Sequence, residues 1–231
     1  MTSPFKHLEI VVLAAGKGTR MKSQLPKVLH YLCGQSLLER VLRCGAELGP
    51  KRIVVVAGYG AELLESELER LRVLPFLSEI EVISTLQAEQ KGTGHAASIG
   101  LAEVSPHADR VLILPGDSPL LRASDLMPLL DRAAEDKAEL AFLTCVHPEP
   151  AGFGRILRDE QGAVLGIIEH KDCSEEQLKI QEINTSIYLG TPSFFRESVA
   201  KLDAKNAQGE LYLTDVVAHA VDTGATPSAQ P

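Results

Sequence analysis

The residues from Ile10 to Lys27 read I-V-V-L-A-A-G-K-G-T-R-M-K-S-Q-L-P-K. They begin inside an apolar run, Leu8 to Ala15, whose β-branched side chains favour a strand buried on both faces. Gly16 and Gly18 follow this run directly. Glycine reaches backbone conformations closed to other residues, so its loop can turn N–H groups toward one point. Because open α/β sheets bind ligands at the carboxyl ends of their strands, the sequence predicts an anion site in this loop.

Four cationic side chains strengthen this interpretation: Lys17, Arg20, Lys22 and Lys27. The loop fits neither of the two common phosphate-binding patterns. The dinucleotide pattern G-x-G-x-x-G fails because Met21 occupies the third glycine position, and the pattern G-x-x-x-x-G-K-[ST] fails because no Gly-Lys pair closes the loop. The alternative is a glycine-rich surface loop that binds nothing, but the preceding strand and the density of cations favour a phosphate site.

The composition limits the class of protein. A length of 231 residues and 45% hydrophobic content predict one α/β domain with a substantial core. The net charge of −8 argues against a nucleic-acid surface, and no apolar run is long enough to span a bilayer. The basic loop is therefore a local exception, which favours a small anionic ligand. None of the four cysteines forms a C-x-x-C pair, so we expect reduced thiols, no zinc and a cytoplasmic location.

The order of elements indicates the fold class. After the first run, apolar segments predict four further strands that alternate with amphipathic helices: Arg52 to Ala57, Glu79 to Thr85, Arg110 to Pro115 and Ala138 to Val146. This alternation predicts a mostly parallel sheet with helices on both faces. We expect a single domain with a first half over residues 1–147, a second half over 148–222 and a frayed tail over 223–231. A hairpin around D-E-Q-G suggests a small lobe within the second half.

Several motifs resemble one family. The segment L-A-A-G-K-G-T-R-M, followed by L-P-K, resembles the signature of sugar-1-phosphate nucleotidylyltransferases. It is most similar to the uridylyltransferase domain of bacterial bifunctional enzymes that also carry a glucosamine-1-phosphate acetyltransferase domain. Five more segments are similar to the same domain: Gln87 to Ala96, Gly152 to Ile156, Ile167 to Asp172, Gln181 to Tyr188 and Asn206 to Asp215. The resemblance covers nearly the whole chain and implies a Rossmann-like nucleotidyltransferase fold with a small sugar-facing lobe.

The resemblance implies transfer of uridylyl from UTP to N-acetylglucosamine 1-phosphate, with release of pyrophosphate. On the nucleotide side it implies a base site, a backbone contact to the nucleoside and two cations for the triphosphate. These residues are Gln87, Gly92 and Thr93 for the base, Leu13, Ala14, Ala15 and Gly16 for the nucleoside, and Arg20 and Lys27 for the phosphates.

Asp117 is the expected metal ligand. It follows a buried strand beside the phosphate loop, where a carboxylate can hold Mg²⁺ together with substrate phosphates. The alternative is an aspartate that only shapes a turn before Ser118-Pro119. The same strand-Gly-Asp pattern occurs in the family, although Pro115 here replaces a tyrosine that is common there. The family has a second metal ligand, an asparagine in an E-G-V-N-like segment, which residues 224–231 do not contain, so Asp117 would be the only protein ligand.

The sugar-binding residues implied by the resemblance lie mostly in the second half: Gly116, Gly154, Glu169, Asn184, Tyr212 and Thr214. A carboxylate and an amide suit a hydroxylated ring. From the residues alone, Glu169 could equally be a solvated side chain at a strand end and Asn184 a turn residue. Thr214 could instead cap the helix predicted over Asp215 to Val221.

The predicted chemistry needs no general base, because a phosphate with a second pKa near 6 is already largely ionised at neutral pH. No histidine is therefore assigned a catalytic role. Two alternatives stay open: thymidylyl or cytidylyl transfer on the same fold, and a non-catalytic nucleotide-binding fragment. No hexapeptide repeat is present, so acetyltransfer is not assigned. By family implication the product feeds peptidoglycan and lipopolysaccharide synthesis, and relatives with the acetyltransferase domain resemble trimers, whereas the oligomeric state of this chain is open.

Overall fold

The computed structural model describes residues 3–225 and 227–230, with all their side chains except those of Arg20 and Gln230. Eleven strands are present in this part of the chain: β1 Leu8–Leu13, β2 Tyr31–Leu32, β3 Gln35–Ser36, β4 Arg52–Ala57, β5 Glu81–Leu86, β6 Arg110–Pro115, β7 Leu140–Val146, β8 Arg155–Arg158, β9 Val164–Ile168, β10 Glu182–Gly190 and β11 Ser228–Gln230. The α-helices of the same part are α1 Leu37–Ala46, α2 Ala61–Arg72, α3 Thr93–Ala102, α4 Ala123–Glu135, α5 Pro192–Val199 and α6 Asp215–Asp222.

The main sheet has nine strands, and its central path runs β11-β7-β10-β6-β1-β4-β5. Strand β1 lies between β4 and β6 and is parallel to both, and β5 is parallel to β4. Strand β10 is antiparallel to its neighbours β6 and β7. The mostly parallel α/β sheet predicted from the order of elements is therefore confirmed, with one antiparallel strand inserted in it.

Strand β1 is buried on both faces, as its β-branched residues predicted. Alternate side chains point into two separate cores, Ile10 and Val12 on one side and Val11 on the other. Helices α1, α2 and α4 cover the first side, and α3, α5 and α6 cover the second. This placement leaves the carboxyl end of β1 as the open edge at which the loop after Leu13 begins.

The predicted hairpin of the small lobe is formed by β8 and β9, which pair antiparallel. Its turn is closed by Asp159, whose Oδ1 accepts hydrogen bonds from the backbone N–H groups of Gln161 and Ala163. Gly162 in this turn has φ +85°, a conformation that favours glycine. The hairpin joins the main sheet because Arg155 of β8 pairs with Ile183 of β10.

The prediction of a frayed tail is wrong for three of its residues. Ser228–Gln230 form β11, which pairs parallel to β7 with Ser228 opposite Ala141. The reason is that β7 otherwise ends the sheet and presents unpaired backbone groups, which a short segment of any composition can satisfy. Thr226 and Pro231 lie outside the described residues. No helix in the described ranges has the length and apolar character required to cross a bilayer.

Candidate active site

A cavity of about 540 Å³ opens at the carboxyl ends of β1 and β6. Its walls come from the loop after β1, the segment between β5 and α3, the end of β6 and two pieces of the second half of the chain. The lining residues are Leu13, Ala14, Ala15, Gly16, Lys17, Gly18, Lys27, Val28, Gln87, Gln90, Gly92, Thr93, Ala96, Pro115, Asp117, Ser186 and Glu210. The cavity thus lies where ligands bind in open α/β sheets.

The loop after β1 is shaped so that Lys27 returns to the cavity. Gly18 has a left-handed backbone, φ +59°, and a Cβ placed on it would lie 2.7 Å from the Cβ of Lys27. Lys27 begins a short 3-10 helix, Lys27–Leu29, and the next two residues, Val28 and Leu29, are buried in the core. The glycine therefore permits close contact between the two ends of the loop, and the buried pair fixes the position of the Lys27 backbone.

Lys27 and Asp117 form an ion pair in which the ammonium donates a hydrogen bond to Oδ2 of the carboxylate. Both side chains remain about one third exposed, at 36% and 33%. Asp117 follows β6, and the adjacent Gly116 donates its backbone N–H to the carbonyl of Leu13 at 2.9 Å. A Cβ on Gly116 would lie 3.0 Å from that carbonyl oxygen, so a glycine here allows β6 and β1 to end side by side.

The predicted base-binding residues lie together at another wall of the cavity. The side chain of Gln87 is buried, and its Nε2 donates to the carbonyl of Gly92 at 3.1 Å and lies 3.1 Å from Nδ1 of His95. Gly92 has φ +107° and precedes α3. No described residue accepts a hydrogen bond from the backbone N–H groups of Gly92 and Thr93, so both donors are available to a ligand.

Gln90 joins the two loops. Its Nε2 donates to the carbonyl of Ala15 at 2.9 Å, across 75 positions of sequence. This bond orients the backbone of the loop after β1 relative to the segment that carries Gln87. Sequence reasoning missed Gln90, because one polar residue within a polar segment gives no sign of its partner.

A segment of the second half of the chain, Glu210 to Leu213, packs directly on the base-side loop, which is the segment from Gln87 to Gly94 with the predicted base-binding residues. The backbone of Leu211 donates to Lys91 O at 2.7 Å and accepts from Gly94 N at 2.8 Å, and Leu213 N donates to Thr93 Oγ1 at 3.0 Å. Close packing requires glycine here, because a Cβ on Gly92 would lie 2.5 Å from Leu211 O. The two halves expected from the sequence therefore share one wall of the cavity.

The predicted sugar-binding residues other than Gly116, which lies beside Leu13, form a cluster that meets the cavity near Ser186 and Glu210. Thr214 Oγ1 donates to Glu169 at 3.2 Å, and Tyr212 Oη donates to Asp172 at 3.3 Å. Gly154 accepts a hydrogen bond from the backbone N–H of Asn184 at 2.9 Å. Thr214 precedes α6 but its side chain makes no capping bond, so the alternative role of helix cap is wrong.

The electrostatic environment of this cluster is acidic. Burial raises the pKa of Glu169, and the charges of Asp215 and Asp172 raise it further, although the hydrogen bond from Thr214 opposes the shift. Burial likewise raises the pKa of Asp215, with additional contributions from Asp203 and Asp172. Three carboxyl groups, those of Glu169, Asp172 and Asp215, thus lie in one partly buried region. Such a region favours ligands that bring hydrogen-bond donors, such as sugar hydroxyls.

Asn184 uses both ends of its amide within the protein. Its Nδ2 donates to Tyr188 Oη at 2.8 Å and its Oδ1 accepts from the backbone N–H of Ser186 at 3.0 Å. The side chain is 5% exposed. The structure places Asn184 beside Gly154 and gives its side chain an internal role in fixing the shape of β10.

The structure brings most of the nucleotide-side residues together and sets the sugar-side residues in the adjoining cluster. The side chain of Arg20 lies outside the described residues, although its backbone belongs to the short 3-10 helix Thr19–Met21. Ser186 and Glu210 also line the cavity and were missed. Only the backbone conformation of Ser186 indicates that it lines the cavity, and the sequence does not show that conformation.

The sequence matches a known family of domains and several curated proteins. Residues 10–179 match the model of the MobA-like NTP transferase domain. Over 225 residues the chain is 46% identical to the bifunctional protein GlmU of Pseudomonas aeruginosa, covering 97% of this chain and 47% of that protein. It is 43% identical over 221 residues to GlmU of Sorangium cellulosum, covering 94% and 46%. The chain thus spans about half the length of the curated relatives it matches.

Two solved structures have a similar fold. A UDP-glucose pyrophosphorylase complexed with UDP-glucose superposes with a TM-score of 0.78 at 16% identity, over 96% of this chain and 90% of that one. The inositol-1-phosphate CTP transferase of T. maritima superposes with a TM-score of 0.73 at 20% identity, over 96% and 84%. The family model matches residues 10–179, which is more than half of the chain. The chain therefore belongs to the family of MobA-like NTP transferase domains.

Proposed function

We propose that this chain transfers a uridylyl group from UTP to N-acetylglucosamine 1-phosphate and releases pyrophosphate. The observation that carries the proposal is the cavity itself. It combines a base wall, formed by Gln87, Gly92 and Thr93, with the ammonium of Lys27 and the carboxylate of Asp117. Gln87 and the free N–H groups of Gly92 and Thr93 offer an acceptor and donors to a pyrimidine edge. The acidic cluster with Glu169 adjoins this cavity and offers acceptors to sugar hydroxyls.

The sequence similarity supports the choice of substrates, because the chain shares 46% identity with GlmU of Pseudomonas aeruginosa and 43% with GlmU of Sorangium cellulosum. The resemblance of the matched motifs to uridylyltransferases then favours UTP over other nucleotides. Since the chain spans about half of those relatives, acetyl transfer is not part of the proposal for this chain.

In the proposed reaction a phosphate oxygen of the sugar 1-phosphate attacks the α-phosphorus of UTP, and the bond to the β-phosphate oxygen breaks. The attacking oxygen is already ionised, so the protein need not remove a proton. Its task is to hold two anions together and to stabilise the charge on the leaving pyrophosphate. Lys27 is suited to this because its ammonium is partly exposed at the cavity and its backbone is fixed by a buried pair.

A divalent cation fits the donor set. Two carboxylates, Asp117 and Glu210, line the cavity, and Mg²⁺ commonly binds one or two carboxylates and completes its shell with phosphate oxygens and water. We propose Asp117 as the ligand. When bound, the ion supplies positive charge to the phosphate oxygens. Within the described residues no group of three metal-binding side chains is present.

The test is a pyrophosphate-release assay with four nucleoside triphosphates and several sugar 1-phosphates, in the presence of Mg²⁺. We expect turnover with UTP and N-acetylglucosamine 1-phosphate. Turnover only with a thymidine or cytidine triphosphate would overturn the uridylyl assignment, and UTP binding without any turnover would favour a non-catalytic module. Asp117→Asn, prepared in the same way, controls for contaminating activity.

A further inference from the structure

One residue of the cavity has a backbone conformation that the fold alone does not explain. Four non-glycine residues of the described chain have a positive φ: Lys22, Cys33, Lys137 and Ser186. Three of them lie at the end of a short helix, in the β2–β3 turn and just after α4, where this conformation is common. Ser186, with φ +63°, lies inside β10. A serine in this region is strained, and such strain concentrates at functional sites.

The strain arises from a bulge in β10. Asn184 pairs with Thr144 of β7 and Tyr188 pairs with Phe142, so four steps along β10 correspond to two steps along β7. The two extra residues displace the chain around Ser186 from the sheet. The side chain of Ser186 is exposed, and the residue lines the cavity together with Lys27 and Asp117.

The bulge is held on both sides. Asn184 bonds to the backbone of Ser186 and to Tyr188 Oη, and Thr185 Oγ1 donates to the carbonyl of Leu143 at 2.6 Å. Tyr188 is itself buried, with 1% exposure. These buried partners maintain the strained conformation of Ser186, because a flexible loop would relax to a conformation that a serine prefers.

The hydroxyl of Ser186 is free for a ligand. Within the described residues its Oγ forms no hydrogen bond, whereas the side chains of Asn184 and Thr185, in the same bulge, are both hydrogen-bonded. Ser186 also stands between the two parts of the site. It lines the cavity that contains the predicted nucleotide-binding residues. It also lies two residues from Asn184, whose backbone N–H donates to the carbonyl of Gly154, a predicted sugar-binding residue.

We infer that Ser186 is a substrate-contacting residue whose hydroxyl donates a hydrogen bond to the sugar 1-phosphate. This inference rests on the proposed function and adds a residue to it. The bulge places the hydroxyl where the incoming phosphate must pass from the sugar side to the cavity. Asn184 then acts as a positioning residue, because it contacts the backbone that carries Ser186.

Two substitutions separate strain from contact. Ser186→Gly removes both the hydroxyl and the strain, whereas Ser186→Ala removes the hydroxyl and keeps the strain. We expect both variants to raise KM for the sugar 1-phosphate by about three- to tenfold, the value of one hydrogen bond, and to leave KM for UTP unchanged. Their melting temperatures should differ, with Ser186→Gly above wild type and Ser186→Ala close to it. Lys137→Gly is the matched control, since it relieves a similar backbone strain far from the cavity and should leave both KM values unchanged.

Two results would overturn the inference. The first is a Ser186→Gly variant with a higher melting temperature and wild-type KM values, which would make the serine a tolerated defect. The second is an equal dissociation constant for N-acetylglucosamine 1-phosphate in wild type and both Ser186 variants, measured by calorimetry in the absence of UTP. The calorimetric measurement does not need turnover, so it separates the two proposals. If wild type shows no turnover but binds the sugar phosphate more tightly than the Ser186 variants do, the proposed reaction fails and this contact stands.

Discussion

The ammonium of Lys27 donates a hydrogen bond to the carboxylate of Asp117, although the two residues are 90 positions apart in the chain. Each has a separate task in the proposed reaction, one toward phosphate and one toward a divalent cation. In the ligand-free protein they neutralise each other. Because both are about one third exposed, the pair is expected to add little to stability, and it can separate when each group meets a substrate partner.

Lys27→Ala should therefore reduce turnover much more than stability. Loss of a charge-assisted bond to phosphate costs about 1.5–3 kcal/mol, or roughly 10- to 150-fold in kcat/KM. The melting temperature should change little, since truncation removes only an ion pair that is about one third exposed. Lys22→Ala is the control, because Lys22 belongs to the same loop but does not line the cavity. A large fall in melting temperature with unchanged kinetics of the folded fraction would show that Lys27 is structural.

Gly18→Ala should damage the site through Lys27. An alanine at φ +59° is strained by about 1–2 kcal/mol, and its Cβ would overlap the Cβ of Lys27. Gly34→Ala carries the same kind of strain at φ +82° but has nothing within 4 Å of the new Cβ. We expect both variants to lose similar stability in urea unfolding and only Gly18→Ala to lose turnover. Equal kinetics in the two variants would contradict the described contact.

Gln90→Ala should weaken UTP binding while the fold persists. The substitution removes the bond to the Ala15 carbonyl, worth about 1 kcal/mol, and with it the link between the two loops. We expect a roughly fivefold rise in KM for UTP and an unchanged KM for the sugar phosphate. Glu89→Ala is the neighbouring control, because Glu89 is exposed and forms a surface ion pair with Lys91. If Glu89→Ala gave the same rise, the effect would belong to the segment rather than to this bond.

Glu169→Gln should make the stability less dependent on pH. Since the folded protein raises the pKa of Glu169, the acid form is the favoured one, and the free energy of unfolding falls as the pH rises from the ordinary glutamate pKa, about 4.3, through the raised value. The glutamine variant lacks this loss. Its melting temperature relative to wild type should be lowest near pH 4 and increase toward pH 8. A difference that stays constant over this pH range would contradict a raised pKa of Glu169 in the folded protein.

The same variant should bind the sugar phosphate less well, since an amide accepts hydrogen bonds from sugar hydroxyls more weakly than a carboxylate. KM for UTP should stay near the wild-type value. Parallel losses for both substrates would contradict the separation of the cluster around Glu169 from the base wall around Gln87.

The sequence predicted those parts of the site that depend on local pattern. The β-branched run of β1 and its two glycines located the first loop, and the position of Asp117 after a buried strand placed it at the same sheet edge. Contacts between distant segments left no such trace. The bond from Leu213 to Thr93 joins residues 120 positions apart, and nothing in either segment indicates the other.

Backbone geometry was the second limit. Strand β11 pairs through main-chain groups, which a small polar tail offers as well as an apolar one, so its side chains gave no signal. The bulge in β10 and the positive φ of Ser186 depend on how two neighbouring strands align, and composition does not report that alignment.

The packing of Glu210 to Leu213 on the base-side loop also determines when the site can exist. A ribosome releases the N-terminal residues first, so strands β1 to β10, both glycine loops and Asp117 emerge before the segment that completes the wall. A nascent chain that ends near residue 200 would hold Lys27 and Asp117 yet lack the three hydrogen bonds that order Lys91, Thr93 and Gly94. Nucleotide affinity should therefore appear late in synthesis, when about nine tenths of these residues have left the exit tunnel, rather than with the first βαβ unit.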